Sequence, residues 1–588
     1  MNSVKTINLI DLKKASMINQ GFRDVWVDQK QPDLTSFINK NCDKPKEPIF
    51  TIQNVGLFLK RLKSCSSGPD GLHAKLVKAS YLELVEPLTH LYNQCIYNSF
   101  TPTQWKTANI TPIPKIANPA LAIDYRPNAN LSTIDKIFQR VLAKYIVTIT
   151  SKIWETNKQY GFLPGRSTMD AILQVIEDWS KASDQHKQLL AIFFDFEKAF
   201  DLVDHALLLT KLSKFLPDWL ISWLASYLTE RQQRVKVNGF ETEWLKVEAG
   251  VIQGSVIGPI LFILFIVDIN DYLPQEADLE KYADDILSYL IGKFDCSLPQ
   301  KIADGVLKWC IENKMRLNVK KCKIITLNYT PVQPIMINGE PLEEVDSYKY
   351  LGIELNNKLN WDQQWTRVKS ITSSVPFLIK RLKQQGWPES ILITIYRSHA
   401  LSHFIYSAPT LTSASTGAKH EMDRFQKRIL RIINITPSRA EKKYGIGTIP
   451  SLIDEICARK LLKILNDPTH SITSKLTQNK RTSDIKRRFR TNLAKTEAYS
   501  NSFVQKYLRM LRDGSDNLYQ PRNLCNYNTT VIKTKRELGD KTPPKQIKRP
   551  KNQCPNCEIH FSNLASHLRL SKICKAQQKQ KKKPEPHQ

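Results

Sequence analysis

The sequence lacks any apolar stretch that could cross a membrane as a helix, for which about 20 apolar residues are needed. The nearest candidate, Val256 to Val267, is only about a dozen residues long and lies between Gln253 and Asp268. We expect this stretch to be buried in a protein core. Met1 to Gln20 also contain no apolar segment of signal-peptide length, so the sequence predicts neither a membrane anchor nor a secretion signal.

Acidic residues are scarce as well. The 588 residues include 56 Asp and Glu but 86 Lys and Arg, which gives a net charge of +30. This balance favours a polyanion as the partner, and an acidic protein or an anionic membrane is a weaker interpretation of the same number. The eleven cysteines are an odd number scattered along the chain, which indicates a reducing compartment and no disulfide framework.

The positive charge is concentrated near the C-terminal end. Lys480 to Gln588 hold 26 Lys and Arg but only 8 Asp and Glu, and so contribute +18 of the net charge. Few long apolar runs occur in this segment, which ends in a cluster of lysines. We therefore expect a basic, partly disordered linker over residues 471–550 and a basic tail over residues 578–588.

The body that precedes this segment is rich in regularly spaced apolar residues. Apolar side chains recur at helical spacing from Tyr81 to Ile96 and from Phe425 to Ile433, which predicts two amphipathic helices. Leu189 to Phe194 and Tyr282-Ala283 are short apolar runs that end in acids, a pattern typical of strands in a half-covered sheet. The predicted fold class is α+β. With 41% apolar residues, disorder throughout the chain is excluded.

Three carboxylates occupy positions that suit chemistry. Asp195 follows an apolar run, and Asp284 and Asp285 lie where a tight hairpin would place them at its tip. Crowded carboxylates repel each other, so such an arrangement normally persists only with cations bound, and Mg²⁺ is the natural occupant. Two such ions would suit an in-line phosphoryl transfer. The alternative is that Asp284 and Asp285 are ordinary turn residues.

Further segments accompany these acids in a fixed order. In chain order the segments are Gly68 to Gly71, Ile113 to Lys115, Asp124 to Pro127, Tyr160 to Thr168, Phe193 to Asp201, Gly250 to Pro259, Tyr282 to Asp285, Leu317 to Lys321 and Tyr350 to Ile353. In order and spacing they resemble the fingers and palm motifs of reverse transcriptases from LINE-type, non-LTR retrotransposons, and among these the jockey-like elements look most similar. The resemblance covers about residues 50–435.

The resemblance implies a right-hand polymerase with fingers, a palm and a helical thumb. We expect an N-terminal extension over residues 1–50, fingers and palm over residues 51–330, and the thumb and a connection over residues 331–470. Many LINE proteins carry an endonuclease before the polymerase. Because only about 50 residues precede Thr51, we expect no such domain here.

By the same resemblance, Asp195, Asp284 and Asp285 are the catalytic acids. Asp195, Asp284 and the carbonyl group of Phe196 match the family's ligands for two Mg²⁺ ions. Phe200 matches a bulky ring beneath the incoming sugar, which would collide with a ribose 2′-hydroxyl and so favour deoxynucleotides. Without the surrounding motif, Phe200 would be interpreted as an ordinary core residue.

Other residues match family positions that contact the substrate. Gln253 and Gly254 match a pair that touches the nascent base pair. They follow a strand-like run and precede a long apolar helix, and a turn at this place suits contact between backbone amides and phosphate. Lys115 and Arg126 match the fingers cations that close on the triphosphate. In so basic a chain, any single cation would otherwise be interpreted as a solvated surface residue.

Two positions fit the family pattern less well. Lys321 matches a lysine proposed to protonate the leaving pyrophosphate, but the register leaves its neighbour Lys320 as an alternative. After Arg126-Pro127 the family usually continues with Ile-Ser-Leu, whereas Asn128 to Leu131 follow here. This difference leaves the template contacts of that predicted loop open.

A second candidate site lies near the C-terminus. Cys554 and Cys557 are followed by His567 and Cys574, with the spacing Cys-x2-Cys-x9-His-x6-Cys, and His560 is an alternative ligand. A unit of this size cannot fold by apolar burial alone, but a tetrahedral Zn²⁺ can organise it. We expect a CCHC-type zinc finger over residues 551–577 that contacts nucleic acid mainly through phosphates. Free surface thiols are the alternative.

Together these patterns predict an RNA-directed DNA polymerase that extends a DNA primer 3′-hydroxyl on an RNA template with dNTPs. The expected location is the nucleus, no membrane partner is expected, and the oligomeric state is left open. Two alternatives remain: a nucleic-acid-binding protein with an inactive polymerase domain, and an RNA-dependent RNA polymerase. Phe200 and the Tyr-Ala-Asp-Asp order favour deoxynucleotides.

Overall fold

The computed structural model describes residues 2–512, apart from residues 27–32, 40–41, 65, 238, 468–469, 477–488, 490 and 492–493. Side chains are described for these residues except 2–12 and 471. The predicted zinc ligands Cys554, Cys557, His567 and Cys574 and the predicted basic tail lie outside the described residues. Within the described ranges, no helix combines the length and the apolar character that a membrane span requires.

The N-terminal part of the molecule, which corresponds to the predicted extension and fingers, is mainly helical. Its elements in chain order are α1 (Asn2–Arg23), α2 (Ile52–Lys60), α3 (Ala74–Ala79), α4 (Tyr81–Tyr97), β1 (Thr107–Pro114), β2 (Tyr125–Asn130), α5 (Thr133–Ile149), α6 (Ser151–Thr156) and α7 (Thr168–Asp184). Helix α2 begins after Thr51, whose hydroxyl accepts a hydrogen bond from the backbone N–H of Asn54. Helix α4 confirms the first predicted amphipathic helix and buries Leu88 and Tyr92.

A central sheet forms the middle of the molecule. The elements of this part are β3 (Leu189–Phe194), α8 (His205–Leu212), α9 (Asp218–Leu228), β4 (Gln232–Val237), β5 (Phe240–Glu241), β6 (Leu245–Lys246), α10 (Gly258–Phe265), β7 (Asp278–Tyr282), β8 (Asp285–Ile291), α11 (Leu298–Glu312), β9 (Lys323–Leu327), β10 (Met336–Ile337), β11 (Glu340–Pro341), β12 (Glu343–Glu344), β13 (Ser347–Tyr350) and β14 (Ile353–Asn356). The strand order of the central sheet is β12-β9-β3-β8-β7, with β3 antiparallel to both β8 and β9. The strand predicted from Leu189 to Phe194 is confirmed.

Both faces of the central sheet are covered, so the prediction of a half-covered sheet is wrong. All six residues of β3 are buried. Leu190, Ile192 and Phe194 pack into the large core that includes α8 to α11. On the opposite face, Phe193 packs with Trp179 of α7 and with the β13–β14 hairpin. The unbroken apolar run of β3 reflects the absence of water from both faces rather than a single buried face.

A second five-stranded sheet, which we call the fingers sheet after the predicted fingers, lies against helix α1. Its strand order is β2-β1-β4-β5, with β6 also paired to β4. Ile18 and Phe22 of α1 are buried in one cluster with Ile110 of β1 and Val235 of β4. The segment that we expected to be an N-terminal extension therefore contributes to the core of this sheet.

The central sheet extends beyond residue 330, where we expected the palm to end. Strand β12 pairs in parallel with β9, with Glu343 opposite Lys323. The β13–β14 hairpin covers the face of the sheet that carries Phe193. Of the strands over residues 336–356, β12 therefore belongs to the central sheet, whereas β10–β11 and β13–β14 form separate pairs, and the helical part begins only afterwards.

Helices follow, as predicted for a thumb. They are α12 (Asp362–Thr372), α13 (Val375–Gln384), α14 (Glu389–Tyr396), α15 (Ser402–Tyr406), α16 (Ala408–Leu411), α17 (Thr416–Ile433), α18 (Pro437–Tyr444), α19 (Ile449–Leu465) and α20 (Ser471–Lys475). A π-helical stretch, Arg397–Leu401, joins α14 to α15. Helix α17 confirms the second predicted amphipathic helix and buries Met422, Ile429 and Ile433.

Two further helices occur inside the segment that we expected to be a basic linker. They are α21 (Glu497–Ser500) and α22 (Phe503–Arg512). Their buried side chains are Tyr499, Phe503, Val504, Tyr507, Leu508 and Leu511. The backbone N–H of Thr496 donates a hydrogen bond of 2.7 Å to Asp184 of α7, and Lys506 forms an ion pair of 2.6 Å with Asp454 of α19. The linker prediction is wrong for these residues because charge averaged over a long segment concealed one apolar helix face.

We predict that residues 495–512 stabilise the folded chain. A protein that ends at residue 494 should lose several kcal/mol of unfolding free energy relative to one that ends at residue 512, because burial of a large apolar side chain is worth about 1.5–3 kcal/mol. Thermal unfolding of the two truncated proteins measures this difference. Equal melting temperatures would show that α21 and α22 are not part of the cooperative fold.

Candidate active site

Asp195 lies where β3 leaves the core. The backbone N–H of Asn318 donates a hydrogen bond of 2.8 Å to the carbonyl oxygen of Asp195, and this bond ties the end of β3 to the segment that carries Lys321. The carboxylate Oδ2 of Asp195 is buried and accepts no hydrogen bond from the described residues. The Lys321 Nζ lies 3.2 Å from this oxygen, so Lys321, rather than Lys320, forms the ion pair with Asp195.

Asp284 lies in the turn of the β7–β8 hairpin, as predicted, but the prediction that Asp285 also lies at the tip is wrong, because Asp285 begins β8. Tyr282 pairs with Asp285, which leaves Ala283 and Asp284 as the two turn residues. Burial and, to a lesser extent, the charge of Asp195 raise the pKa of Asp284. Part of the Asp285 side chain reaches solvent, yet desolvation and then the charges of Asp284 and Asp195 raise its pKa to about 6. The fold thus brings the three predicted acids within electrostatic reach of one another.

The donor groups at this site fit the chemistry of Mg²⁺. The half-buried carboxylates of Asp284 and of Asp195, whose Oδ2 faces the Lys321 ammonium group at 3.2 Å, are hard oxygen donors, which Mg²⁺ prefers. Phe196 and Leu317 form an isolated antiparallel bridge. Its two backbone hydrogen bonds involve the neighbouring residues, so neither bond uses the carbonyl oxygen of Phe196. Within the described part of the chain, no three His, Cys, Asp or Glu side chains form a complete metal site. The ligand set of Asp195, Phe196 and Asp284 stays a prediction.

A cleft of about 650 Å³ opens at these acids and brings together most of the residues that the sequence singles out. Predicted site residues that line it are Lys115, Arg126, Asp195, Phe196, Phe200, Gln253, Gly254, Asp284 and Lys321. Asp285 does not line the cleft, because it begins β8 behind the turn. The cleft is lined by strands of the sheet that contains β1 and β2, by residues adjoining the strands of the central sheet, and by residues of α1, including Phe22.

The two fingers cations are placed by the β1–β2 hairpin. Arg126 is on β2 opposite Ile113, and Lys115 follows the end of β1, where its backbone N–H donates a 2.7 Å hydrogen bond to the carbonyl oxygen of Asp124. Burial and then the charge of Arg126 lower the pKa of Lys115, whereas Asp201 acts in the opposite direction. Two cations held this close to each other favour binding of an anion in the cleft.

The ring of Phe200 is fixed by aromatic contacts. It stacks on Phe262 of α10 with 4.4 Å between ring centroids and 19° between ring planes. The exposed ring of Phe162 approaches its edge, with centroids 6.3 Å apart. Phe200 therefore lines the cleft from a position that it cannot easily leave.

Gln253 and Gly254 are attached to strand β2 of the fingers sheet. The backbone N–H of Ala129 donates a 2.7 Å hydrogen bond to the carbonyl oxygen of Gln253. Gly254 has a φ of +106°, and a Cβ atom at this position would lie 2.6 Å from the carbonyl oxygen of Ala129. Only glycine fits here. Asn128 and Ala129, which we expected in a loop, belong to β2.

The surroundings of Gln253 differ from the sequence prediction. No strand precedes it directly, because β6 ends at Lys246, and Gly250 then adopts a φ of +89° against the backbone of Asp201. The apolar helix that follows is short, since α10 covers only Gly258–Phe265 before a 3-10 turn. The expected burial of Val256 to Val267 is confirmed for α10, whose apolar side chains lie in the core.

Asp201 is a site residue to which the sequence assigned no role. Its Oδ1 accepts a 2.7 Å hydrogen bond from Nε2 of Gln253. Burial raises the pKa of Asp201 to about 6, although Gln253, Lys198, Lys115 and Arg126 act against this shift. Asp201 stands in the motif that begins at Phe193, but no local pattern indicates that its side chain holds Gln253.

Trp26 is a second residue that sequence reasoning missed. Its indole N–H donates a 2.8 Å hydrogen bond to the backbone carbonyl oxygen of Asp201, 175 residues further along the chain. Trp26 is buried and lines the cleft with Gly21 and Phe22. A contact across such a separation leaves no signal in the local sequence.

Comparison with known proteins agrees with this geometry. Residues 113–355 match the family model described as reverse transcriptase (RNA-dependent DNA polymerase). The RNA-directed DNA polymerase from the mobile element jockey of Drosophila melanogaster is 26% identical over 452 residues, 72% of this chain and 49% of that protein. The probable RNA-directed DNA polymerase from transposon BS of the same species is 31% identical over 54% of this chain and 37% of its own length.

Residues 113–355 form a LINE-type reverse transcriptase domain. The prediction of a LINE-type reverse transcriptase is confirmed, and jockey is among the elements whose polymerases match, while the jockey-like branch stays a prediction. Residues 113–355 include every candidate site residue predicted between Lys115 and Lys321 and extend into β14, whereas the motif from Gly68 to Gly71 lies outside them.

The extent of these similarities is limited. The chain spans about half the length, or less, of the curated relatives that it matches. A solved telomerase from Candida albicans, in a complex with a fragment of telomeric RNA, matches 67% of this chain and 69% of its own at 12% identity, with a TM-score of 0.33. That likeness is too weak to support any argument about the reverse transcriptase domain.

We predict that Asp201 makes the stability of this reverse transcriptase domain depend on pH. Its pKa of about 6 in the folded chain is above the 3.8 of an ordinary Asp, so the unfolded chain loses this proton first as the pH rises. Stability should therefore fall between about pH 4 and pH 6, by at most about 3 kcal/mol from this group. Asp201→Asn should reduce the fall, as measured by urea unfolding at pH 4.5 and 6.5.

Asp304→Asn is the matched control, because Asp304 is an exposed carboxylate on α11. If Asp201→Asn and Asp304→Asn change the pH dependence by the same amount, the buried carboxylate of Asp201 is not its source.

Proposed function

We propose that this chain is an RNA-directed DNA polymerase that extends a DNA primer 3′-hydroxyl on an RNA template with dNTPs. The observation that carries the proposal is the meeting of Asp195 and Asp284 at one end of the central sheet, in a cleft that the fingers cations also line. Acids that attract metal ions and cations that attract a triphosphate are the two groups that phosphoryl transfer requires.

In this proposal, Asp195, Asp284 and the Phe196 carbonyl hold two Mg²⁺ ions, and Asp285 supports the site from β8. When bound, these ions would lower the pKa of the primer hydroxyl and stabilise the charge on the leaving oxygen. Lys115 and Arg126 bind the triphosphate and orient its phosphates along the cleft. Lys321, already 3.2 Å from Asp195, is placed to donate a proton to the leaving pyrophosphate.

Gln253 and Gly254 position the nascent base pair in this scheme. Asp201 supports them, because its carboxylate accepts the side-chain N–H of Gln253. Phe200 lies beneath the sugar, and its stacking on Phe262 keeps it from moving aside for a 2′-hydroxyl. The intact acids give no support to the alternative of an inactive nucleic-acid-binding protein.

We further propose that residues 51–330, with the strands up to β14, act as fingers and palm, and that α12 to α19 act as the thumb. The CCHC-type finger with Cys554, Cys557, His567 and Cys574 would hold Zn²⁺ and contact nucleic acid. With the basic tail, it would attract template RNA and target DNA by counterion release. A chromosomal DNA target would place the chain in the nucleus.

Primer extension on an RNA template tests the activity. We expect the wild-type protein to incorporate dNTPs in the presence of Mg²⁺ and Asp284→Ala to lose at least about a hundredfold in rate, because a metal ligand is removed. Asp304→Ala, which removes an exposed carboxylate from α11, should retain the wild-type rate. Equal incorporation by wild type and Asp284→Ala would refute the assignment of the site.

The choice of sugar is tested at Phe200. Phe200→Ala should raise the efficiency of rNTP incorporation relative to dNTP incorporation by about tenfold or more, because the ring that would meet the 2′-hydroxyl is gone. Competing dNTPs and rNTPs in single-nucleotide extension measure this ratio. Phe377→Ala, which removes a ring that is 70% exposed on α13, is the matched control. An unchanged ratio in Phe200→Ala would show that another group selects the sugar.

A further inference from the structure

The turn that carries Asp284 contains an unfavourable backbone conformation. Ala283 has a φ of +57°, in the left-handed region that a residue with a Cβ atom avoids and glycine accepts freely. Ala283 is buried and directly precedes Asp284 in the two-residue turn. The direction of the Asp284 carboxylate therefore depends on a backbone geometry that the surrounding structure must hold.

Gln159 provides a contact that holds this geometry. Its side chain is almost completely buried, and its Oε1 accepts two hydrogen bonds, from the backbone N–H of Ala283 at 3.0 Å and from that of Gly161 at 2.8 Å. Because both partners are N–H donors, the amide oxygen must face them. Gln159 Nε2 is buried and has no hydrogen-bond partner in the described part of the chain. The polar contacts of this side chain are therefore those of Oε1.

The backbone around Gln159 fixes it against the hairpin. The N–H of Tyr160 donates to the carbonyl oxygen of Lys281 at 2.8 Å, and the N–H of Lys281 donates to that of Lys158 at 3.0 Å. The segment thus runs parallel to the end of β7. A Cβ atom on Gly161 would lie 2.8 Å from the backbone nitrogen of Ala283, so only glycine allows this close approach.

We propose that Gln159 is a positioning residue for the polymerase reaction: by accepting the N–H of Ala283, it stabilises the left-handed turn that aims Asp284 into the cleft. This proposal rests on the proposed function, since it assigns the hairpin its role in metal binding. Gln159 touches no substrate and acts only through the backbone of Ala283.

The first test is Gln159→Met, which keeps an unbranched side chain of similar length but removes the acceptor. We expect kcat to fall by about tenfold to a hundredfold, as for a small displacement of a catalytic group, and more Mg²⁺ to be needed for half-maximal rate. The Kd for primer-template should change less than about twofold, because no nucleic-acid contact is altered.

The matched control is Gln426→Met in the thumb. Gln426 is also buried, and its Oε1 also accepts a backbone N–H, that of Ile449, while its Nε2 donates to the carbonyl oxygen of Gly447. A loss of kcat in Gln426→Met as large as that in Gln159→Met would mean that general destabilisation explains both, and the proposal would be wrong.

The second test is rescue by Ala283→Gly. Glycine adopts a positive φ without help, so in an Ala283→Gly background the further change Gln159→Met should cost at most about half as much activity, on a logarithmic scale, as it does in the wild-type background. An equal cost of Gln159→Met in both backgrounds would overturn the proposed route through Ala283.

A third measurement separates this proposal from the proposed function. Hydrogen exchange of the backbone amide of Ala283 requires no catalysis, and Gln159→Met should accelerate it at least about tenfold while Gln426→Met leaves it unchanged. If the wild-type protein does not extend primers, the function fails but this result still tests the contact. If exchange at Ala283 is unchanged, the positioning role fails whether or not the protein is a polymerase.

Discussion

Carboxylates that lie side by side at the end of a buried sheet cost free energy, and the elements around them must offset this cost. Asp195 and Asp284 are brought together because β3 and β8 are adjacent, and their mutual repulsion adds to the cost of burial. Cations on the surrounding segments oppose this cost, and the Lys321 ammonium group is the nearest to Asp195. Like charges stay close together only where the surrounding elements are well packed. Strand β3, which ends directly before Asp195, meets this need because all six of its residues are buried.

The sequence predicted the elements whose signals are local. The unbroken apolar run from Leu189 to Phe194 predicted a strand. The acidic pair Asp284-Asp285 between two apolar runs predicted a hairpin. The ordered motifs supplied the family and most residues of the cleft. The hydrogen bonds from Gln253 and from Trp26 to Asp201 could not be foreseen, because each joins residues far apart in the chain through one polar atom. Helix α22 was missed for a different reason, since its apolar face is diluted by the lysines around it.

The residues that line the cleft are separate from those that attach the last two described helices, α21 and α22, to the rest of the chain. The cations and aromatic rings that line the cleft come from residues 22–321, whereas the helices at residues 497–512 pack against α7 and α19. Glu177 of α7 belongs to this rear contact, where burial raises its pKa to about 7 and the hydroxyl group of Tyr499 donates to it. The rear contact thus has an ionisable group of its own, separate from those that line the cleft.

The two borders of the central sheet have a consequence for solubility. An exposed strand border offers unpaired N–H and C=O groups to any other extended chain, which is how many proteins begin to aggregate. Here the β7 border is already occupied near its end by the backbone from Lys158 to Tyr160. At the opposite border, β12 is only Glu343–Glu344, and both side chains are exposed. The β7 border is thus covered by another backbone segment, and the β12 border is short and carries two acidic side chains. Both features disfavour pairing with a strand of another molecule.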